Sequence, residues 1–335
     1  MLTRRSLLDG AIGAGLALTM SRAFAQSDQL ERNKAVVRRF KDLQGSKDEA
    51  LIEREVLAPN YKRWRGGFAH LAANAQGQGF PSAGSYLRGA FPDRKDEIVD
   101  MVAEDDMVGM LFRIKATHQA NFNGIPATGK TIDVYEAGVF RLADSKITEA
   151  WFMADEAGLL RQLGARLPAR QDGKLIAPPV SGEGEDPDAV VKRLAADPLV
   201  RREDRNRLMV ARSKGAAPSA DLRAPDFKQS RVGFQHLRDY GNAKGVGTET
   251  ITTALPDRRD RIDGFIAEGE TVWMRFKVAG TQGGKLYGLP PTGKRVEVPE
   301  IGVMRFADGK WKEAWYFADE LGLMLQLNAL HMLEV

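Results

Sequence analysis

The amino-acid sequence predicts an α+β protein of two tandem units, and two observations support this fold class. Residues 91–165 align without a gap to residues 255–329, 164 positions later, and roughly half of the aligned pairs are identical. Within each unit, apolar residues at helical spacing come first and runs of alternating polarity follow, which is the order of an α+β unit. Each unit is predicted to be a curved antiparallel sheet that packs on N-terminal helices around a pocket.

The helical part of each unit is predicted from apolar residues three and four positions apart. These residues are Val36, Val37, Phe40 and Leu43 in the first unit, and Val190, Val191 and Leu194 in the second. Four strand-like runs separated by short polar turns follow in the first unit, at about residues 97–104, 107–118, 131–142 and 146–154. The predicted units are residues 30–166 and 189–330, joined by a linker rich in Pro and Gly over residues 167–188.

The N-terminal residues 1–25 are predicted to be a twin-arginine signal peptide. Thr3-Arg4-Arg5-Ser6-Leu7-Leu8 resembles the twin-arginine motif, an apolar stretch follows to Met20, and Ala23-Phe24-Ala25 offers a cleavage site. The alternatives are an uncleaved anchor or a chance basic start. We expect a periplasmic or secreted protein that has no membrane association once the signal is removed.

Composition narrows the classes of function. The chain has 335 residues with a formal net charge of +4, too little and too evenly spread to predict nucleic-acid binding. It has no cysteine and four histidines, so a zinc site would depend on histidines and carboxylates. A small apolar organic ligand is the expected partner, because a curved sheet around a helix leaves one mostly apolar cavity in each unit.

Candidate pocket residues follow from strand alternation, since every second side chain faces the same side of a sheet. The second strand places Val108, Met110 and Phe112 on one face, and His118 falls on that face too. The same reasoning gives two predicted sets: His118, Glu136, Glu149, Trp151 and Asp155 in the first unit, and Gln282, Glu300, Glu313, Trp315 and Asp319 in the second. An apolar wall raises the pKa of a carboxyl group, which suits a general acid or base near neutral pH.

Each of these residues also has a structural interpretation. An inward glutamate can hold a buried arginine, His118 can be a core histidine, and the two tryptophans can be core residues. Asp155 and Asp319 each end a strand before a short helix, where aspartate is a favoured N-cap.

Several segments together resemble the SnoaL-like polyketide cyclase (ester cyclase) family, which has the cone-shaped, cystatin-like fold of nuclear transport factor 2. They are Phe91-Pro92-Asp93, Thr117-His118, Gly124-Ile125-Pro126-Ala127-Thr128-Gly129-Lys130, Val139-Phe140-Arg141 and the run from Trp151 to Asp155, with their copies between Leu255 and Leu327. The resemblance implies that Asp155 and Asp319 are the acid/base of an intramolecular aldol closure, that His118 lines the pocket, and that no cofactor or metal is needed.

The sequence departs from the family pattern at three places. Gln282 stands where the second unit would have the histidine, and the run from Tyr61 to Arg65 lacks the histidine that family members often carry shortly after this tyrosine. Glu136 and Glu300 stand where the family usually has glycine. These departures change the charge of the pocket.

One motif is rejected as a nucleotide site. Residues 124–131 match the phosphate-loop pattern, which needs a helix after it, but Thr131 opens a strand-like run. The second copy has Pro290-Pro291, which removes two amide donors. The segment is predicted to be a turn between strands.

Two classes of function remain open from the sequence. One is an enzyme that uses Asp155 with His118 for cyclisation, isomerisation or hydration of a small apolar carbonyl compound. The other is a non-catalytic periplasmic protein that binds small molecules. The two units are expected to pair as an internal pseudo-dimer through the outer faces of their sheets, and a homodimer of chains is possible.

Overall fold

Two five-stranded sheets organise the protein in a computed structural model that describes residues 26–65, 89–164, 184–215, 222–232, 234–246 and 249–333. The predicted signal peptide and residues 167–183 of the predicted linker lie outside these ranges. The last residues of that linker already belong to the second unit, since Glu185 pairs with Ile262 and a helix begins at Pro187.

The first unit begins with helix α1 over residues 26–43, which buries Val37 and Phe40 as its apolar spacing predicts. A π-helical turn, Ile52–Val56, leads into the sheet. Its strands are β1 Leu57–Arg65, β2 Lys95–Glu104, β3 Met107–Thr117, β4 Thr131–Ala143 and β5 Lys146–Ala154. Helix α2, Glu156–Leu163, follows β5 directly.

The second unit repeats this order with two helices in front, α3 Pro187–Ala196 and α4 Arg202–Arg212. Its strands are β6 Arg223–Arg231, β7 Arg259–Glu268, β8 Thr271–Thr281, β9 Arg295–Ala307 and β10 Lys310–Ala318. Helix α5, Gln235–Lys244, and the single turn Ile251–Ala254 lie between β6 and β7. Helix α6, Glu320–Leu327, and the 3₁₀ turn Leu330–Leu333 follow β10.

The strand order is β1-β5-β4-β3-β2 in the first sheet and β6-β10-β9-β8-β7 in the second. The predicted α+β class and the two tandem units are confirmed, and the four predicted strands match β2 to β5 closely. The sequence did not reveal β1 and β6, which run parallel to β5 and β10 and make each sheet mixed. Both contain a proline, Pro59 and Pro225, which an edge strand tolerates because one side of its backbone needs no partner.

The inner face of each sheet carries the core of its unit. Val108, Met110 and Phe112 of β3 are fully buried there, so the predicted facing of this strand is confirmed. The rings of Phe40 and Phe140 meet edge to face at 5.8 Å, which anchors α1 on the sheet.

The outer faces of the two sheets pack against each other through a second apolar cluster. Its buried members are Val102, Leu111, Ala137, Val139, Trp151 and Met153 from the first unit, and Ile266, Trp273, Ile301, Val303 and Phe317 from the second. Trp273 lies on Gly109, where an added Cβ would come within 2.8 Å of the indole ring. The glycine is therefore needed for this close approach.

Two glutamates link the outermost strands of the two sheets reciprocally. Glu268 accepts a hydrogen bond from the backbone N–H of Ala103 at 2.8 Å, and Glu104 accepts one from that of Ala267 at 2.9 Å. Each carboxylate also has a cationic partner in the opposite unit, Lys34 for Glu268 and Arg207 for Glu104. Glu104 and Glu268 are equivalent positions of the repeat, so this contact is made twice.

No helix among the described residues has both the length and the apolarity required to cross a lipid bilayer.

Candidate functional site

The inner face of the first unit holds a pocket between the sheet and α2. Apolar side chains form most of its wall, from Phe91, Ile114, Ile132, Val134, Ala154 and Leu159. Three charged residues complete the wall: Arg65, Arg94 and Glu136. The free space is about 10 Å³, roughly that of one water molecule.

Glu136 faces this pocket as predicted and forms an ion pair with Arg65, the last residue of β1. Both side chains are almost fully buried. The second unit repeats the pair between Glu300 and Arg231 at 3.0 Å. The interpretation that an inward glutamate holds a buried arginine therefore describes both units.

A buried lysine next to the pocket was not found from the sequence. The ammonium of Lys41, on α1, lies 2.6 Å from the Asp96 carboxylate and 3.4 Å from the centre of the Phe112 ring. Arg94 donates two hydrogen bonds to the same carboxylate, at 2.8 and 3.0 Å. Burial, together with the charge of Arg94, holds the pKa of Lys41 well below its ordinary value.

The second unit contains the same cluster. Lys214 lies 3.5 Å from Asp260 and 3.6 Å from the centre of the Phe276 ring, and Arg258 binds Asp260 at 2.7 and 2.8 Å. Burial lowers the pKa of Lys214 to about 8. The recurrence of Arg-x-Asp at residues 94–96 and 258–260 was the one sequence signal that could have indicated this cluster.

Asp155 and Asp319 lie at the ends of β5 and β10, where each caps the helix that follows. The Gly158 N–H donates to Asp155 Oδ1 at 2.8 Å, and the Gly322 N–H donates to Asp319 Oδ1 at the same distance. Burial raises the pKa of Asp155 to about 6, although the Gly158 N–H and the charge of Arg161 oppose the shift. Asp319 is fully buried.

The residues after these two aspartates form a buried carboxyl cluster between the units. Burial and the nearby Asp319 raise the pKa of Glu156 well above its ordinary value. Burial and the nearby Asp155 do the same for Glu320, whose Oε1 accepts the Leu237 N–H at 2.6 Å. Each aspartate of one unit thus lies close to the glutamate of the other.

His118 stabilises the turn between β3 and β4, and Gln282 stabilises the equivalent turn between β8 and β9. His118 Nδ1 accepts the Thr128 N–H at 3.3 Å and lies 3.1 Å from Thr128 Oγ1, while burial lowers the pKa of His118. Gln282 Oε1 accepts the equivalent Thr292 N–H at 2.6 Å, and its amide donates to the Pro290 carbonyl. The His118 ring packs on Phe91, a pocket residue, but no contact joins His118 to Asp155 among the described residues.

The predicted facing of the fourth strand is wrong. Trp151 and Trp315 belong to the apolar cluster between the two units, not to a pocket. Glu149 accepts the Trp64 indole N–H at 2.7 Å and pairs with Arg141, and Glu313 pairs with Arg305. The inward side chains of β5 are Ala150, Phe152 and Ala154, because Trp151 lies opposite Val139 in the register. Asp155 follows the end of the strand, so strand alternation does not apply to it.

The segment that matches the phosphate-loop pattern is a turn between β3 and β4, as predicted. The Gly129 N–H donates to the His118 carbonyl at 2.9 Å, and β4 begins at Thr131. In the described part of the chain, no group of three or more His, Asp or Glu residues is arranged to hold a metal ion.

Comparison with known proteins gives the same division of the chain into two units. The family model for SnoaL-like polyketide cyclases matches residues 34–163 and 218–327, more than half of the chain. The chain belongs to the SnoaL-like polyketide cyclase family. The two matched segments correspond to the two units, so this member of the family carries its domain twice. No curated protein matches the chain.

Solved structures of similar proteins each correspond to about one unit. AclR from Streptomyces galilaeus is 22% identical, with 40% of this chain and 97% of that chain covered, at a TM-score of 0.33. IdmH from Streptomyces antibioticus is 23% identical, with 40% and 99% covered, at a TM-score of 0.33. A SnoaL-like polyketide cyclase from Agrobacterium tumefaciens is 16% identical, with 39% and 97% covered, at a TM-score of 0.30.

Proposed function

We propose that this SnoaL-like protein is an exported enzyme that transfers a proton on a small apolar carbonyl compound, with Asp155 as acid and base. The observation that carries the proposal is the Asp155 carboxyl group. It is half-buried, it directly follows the pocket residue Ala154, and desolvation raises its pKa to about 6. A carboxyl group with this pKa both accepts and donates a proton near neutral pH.

The chemistry is an aldol closure or a related isomerisation. The Asp155 carboxylate takes a proton from the carbon next to a carbonyl, and the electron pair moves onto the carbonyl oxygen as an enolate. The enolate carbon then forms a bond to a second carbonyl carbon, and the proton on Asp155 passes to the new alkoxide. Atoms and charge balance without a co-reactant. His118 lies 5.2 Å, centroid to centroid, from the pocket residue Phe91 and is the second candidate for contact with substrate.

Export through the twin-arginine route is part of this proposal. It is supported by the Arg4-Arg5 pair, the apolar stretch and the cleavage site that follow each other at the N-terminus. The packing of the two outer sheet faces supports an internal pseudo-dimer of the two units.

A second candidate function is non-catalytic binding of a small molecule in the periplasm. Two observations favour it: Asp155 and Asp319 both serve as helix caps, and Gln282 replaces the histidine of the second unit. Under this alternative the carboxyl groups stabilise α2 and α6 and take no proton from the ligand.

Exchange of a carbon-bound proton tests the two candidates directly. In D₂O, NMR follows loss of the α-proton of the β-keto ester ethyl 2-methylacetoacetate. We expect the protein to accelerate exchange above the buffer rate, with a rate that rises with pH through about 6.

Asp155→Asn should abolish this acceleration while the fold survives, because asparagine also caps a helix N-terminus. Asp106→Asn, at an exposed turn, is the matched control and should leave the rate unchanged. Equal acceleration by the protein and its Asp155→Asn variant would refute the acid/base role. No acceleration by either, together with recovery of an unmodified bound ligand, would favour the binding protein.

A further inference from the structure

The inner face of the first unit holds a lysine whose amine is removed from water. It is Lys41 on α1, and its side chain is only 4% exposed. The nitrogen lies 3.4 Å from the centre of the Phe112 ring and 2.6 Å from a carboxylate oxygen of Asp96. Lysine is seldom buried, so a lysine in such a place is paired, functional or both. The acid/base chemistry proposed above makes no use of this amine.

The amine of Lys41 lies directly behind the wall of the pocket. Arg94, which lines the pocket, donates two hydrogen bonds to the same Asp96 carboxylate that Lys41 contacts. Phe112, on which the amine lies, is opposite Glu136 in the pairing of β3 with β4, and Glu136 also lines the pocket. Lys41 is thus joined to two residues of the pocket wall through one neighbour each.

Two features of this position favour the neutral form of the amine. The surrounding side chains exclude water, and the guanidinium of Arg94 places a second cation nearby. Burial and the charge of Arg94 therefore hold the pKa of Lys41 well below its ordinary value, although Asp96 opposes the shift. Desolvation and a neighbouring cation are also the two means by which enzymes activate a lysine as a nucleophile.

The second unit places a lysine in the same surroundings from a different position of the backbone. Lys214 lies in the turn after α4, whereas Lys41 lies within α1. The nitrogen of Lys214 is 3.6 Å from the centre of the Phe276 ring, 5.0 Å from that of Tyr316 and 3.5 Å from Asp260. The two lysines lie outside the gap-free alignment of the repeat and still reach the same place, which favours a role for the amine itself.

We propose that Lys41 is a nucleophilic amine that forms an imine with a small ketone or aldehyde in the pocket of the first unit. This goes beyond the proposed function, because the covalent step depends on Lys41 and not on Asp155. The hydrocarbon wall of Ile132 and Val134 suits the apolar part of such a compound. The free space in the pocket is that of one water molecule, so the compound is small and displaces lining side chains as it enters.

The covalent step balances without a co-reactant. The lone pair of the Lys41 nitrogen forms a bond to the carbonyl carbon, and the electrons of the carbonyl double bond move onto its oxygen. The Asp96 carboxylate, 2.6 Å from the nitrogen, carries the two N–H protons in turn from nitrogen to oxygen. The carbon–oxygen bond then breaks, the oxygen leaves with both protons as water, and a carbon–nitrogen double bond remains. Protonation of this nitrogen gives an iminium ion, which the Asp96 carboxylate stabilises.

Reductive trapping of the full chain with acetone and sodium cyanoborohydride at pH 7 tests the proposal, because the hydride converts an imine into a stable isopropyl-lysine. Mass spectrometry of peptides gives the labelling rate of each lysine. We expect Lys41 to be labelled at least about tenfold faster than Lys115, since the fraction of neutral amine rises about tenfold for each unit by which a pKa is lower. Lys115 is the matched control, an exposed lysine on β3. Labelling of Lys41 at less than this multiple of the Lys115 rate would overturn the proposal.

A variant of the pocket wall tests whether the ketone reaches the amine through the pocket. Ala154→Val adds two methyl groups to the wall, so labelling of Lys41 should slow severalfold while that of Lys115 stays the same. Ala143→Val, at the exposed end of β4, is the matched control and should change neither rate. Labelling of Lys41 that Ala154→Val does not slow would contradict binding in the pocket. If Ala154→Val does not fold, the two labelling rates in the parent chain still decide the proposal.

Discussion

The two units share one fold but differ at the turn that follows β3 in the first unit and β8 in the second. His118 and Gln282 occupy equivalent positions, and each accepts the backbone N–H of the threonine ten residues later. Helix capping is unchanged, since Asp155 and Asp319 have φ values of −78° and −76° and accept the N–H of the equivalent glycines, Gly158 and Gly322. The comparison teaches that the fold requires a hydrogen-bond acceptor at this position and does not require an imidazole.

The units also differ where they touch. Trp273 is the residue of the second unit that corresponds to Gly109 in the first. These two equivalent residues pack against each other across the interface. Two residues that face their own counterpart cannot both be large. The duplicated units have thus become complementary, with a wide side chain on one and a glycine on the other.

The largest expected effect is at this contact. Trp273→Ala leaves a cavity between the sheets and should lower the free energy of unfolding by about 3–5 kcal/mol. Trp315→Ala is the matched control: the same residue type at the same interface, but only partly buried, so the loss should be clearly smaller. Urea unfolding followed by circular dichroism measures both. Equal losses of unfolding free energy would show that the two tryptophans stabilise the interface equally. The packing of Trp273 on Gly109 would then have no special contribution to stability.

A pH effect should follow from the carboxyl cluster between the units. Burial raises the pKa of Glu156 and Glu320 in the folded state above the ordinary 4.5. Between that value and the folded-state pKa, the folded protein binds more protons than the unfolded chain. Stability therefore falls as pH rises through this window, by about 1.4 kcal/mol per pH unit for each group.

Glu156→Gln and Glu320→Gln should flatten this dependence and make the protein more stable above neutral pH than the parent chain. Glu53→Gln, at an exposed position, should leave the slope unchanged. Free energies of unfolding measured between pH 5 and 8 provide the comparison. A slope as steep in the double variant as in the parent chain would show that Glu156 and Glu320 do not cause the pH dependence.

The smallest expected effect is at the turn. His118→Gln copies the second unit and should change the free energy of unfolding by less than about 1 kcal/mol, because glutamine supplies the same acceptor to Thr128. His118→Ala should cost about 1–3 kcal/mol, because it leaves that N–H without this partner. Thermal unfolding measures both. If His118→Gln also leaves α-proton exchange intact, the histidine has no catalytic role; loss of exchange with an intact fold would establish one.

Much of the fold was predictable because the two halves of the sequence can be aligned with each other. The repeat predicted β2 to β5 and β7 to β10 together. Their alternating polarity indicated strands with one buried face and one more polar face. The strands β1 and β6 were missed because an edge strand with a proline and few apolar residues has no such pattern. Their pairing is decided by the tertiary structure.

The site residues were less predictable than the fold, because alternation along a strand does not say which of its faces is the inner one. Glu136 and Glu300 were placed correctly by strand alternation, but Trp151 and Trp315 were not, because both faces of β5 and β10 are buried and alternation then carries no direction. Lys41 and Lys214 were missed because both lie outside the aligned blocks, Lys41 on α1 and Lys214 in the turn after α4. Only three-dimensional contact joins them to the Arg-x-Asp segments of β2 and β7.

The reciprocal glutamates at β2 and β7 have a consequence beyond joining the units. An outermost strand with unpaired backbone groups is a template on which another chain can add and begin an aggregate. Here Glu268 and Glu104 each accept a hydrogen bond from a backbone N–H of the outermost strand in the other unit. The pairing of both strands is also irregular, after Ile98 and after Ile262. The tandem arrangement thereby protects each sheet with a carboxylate from the other, a protection against aggregation that a single unit would lack.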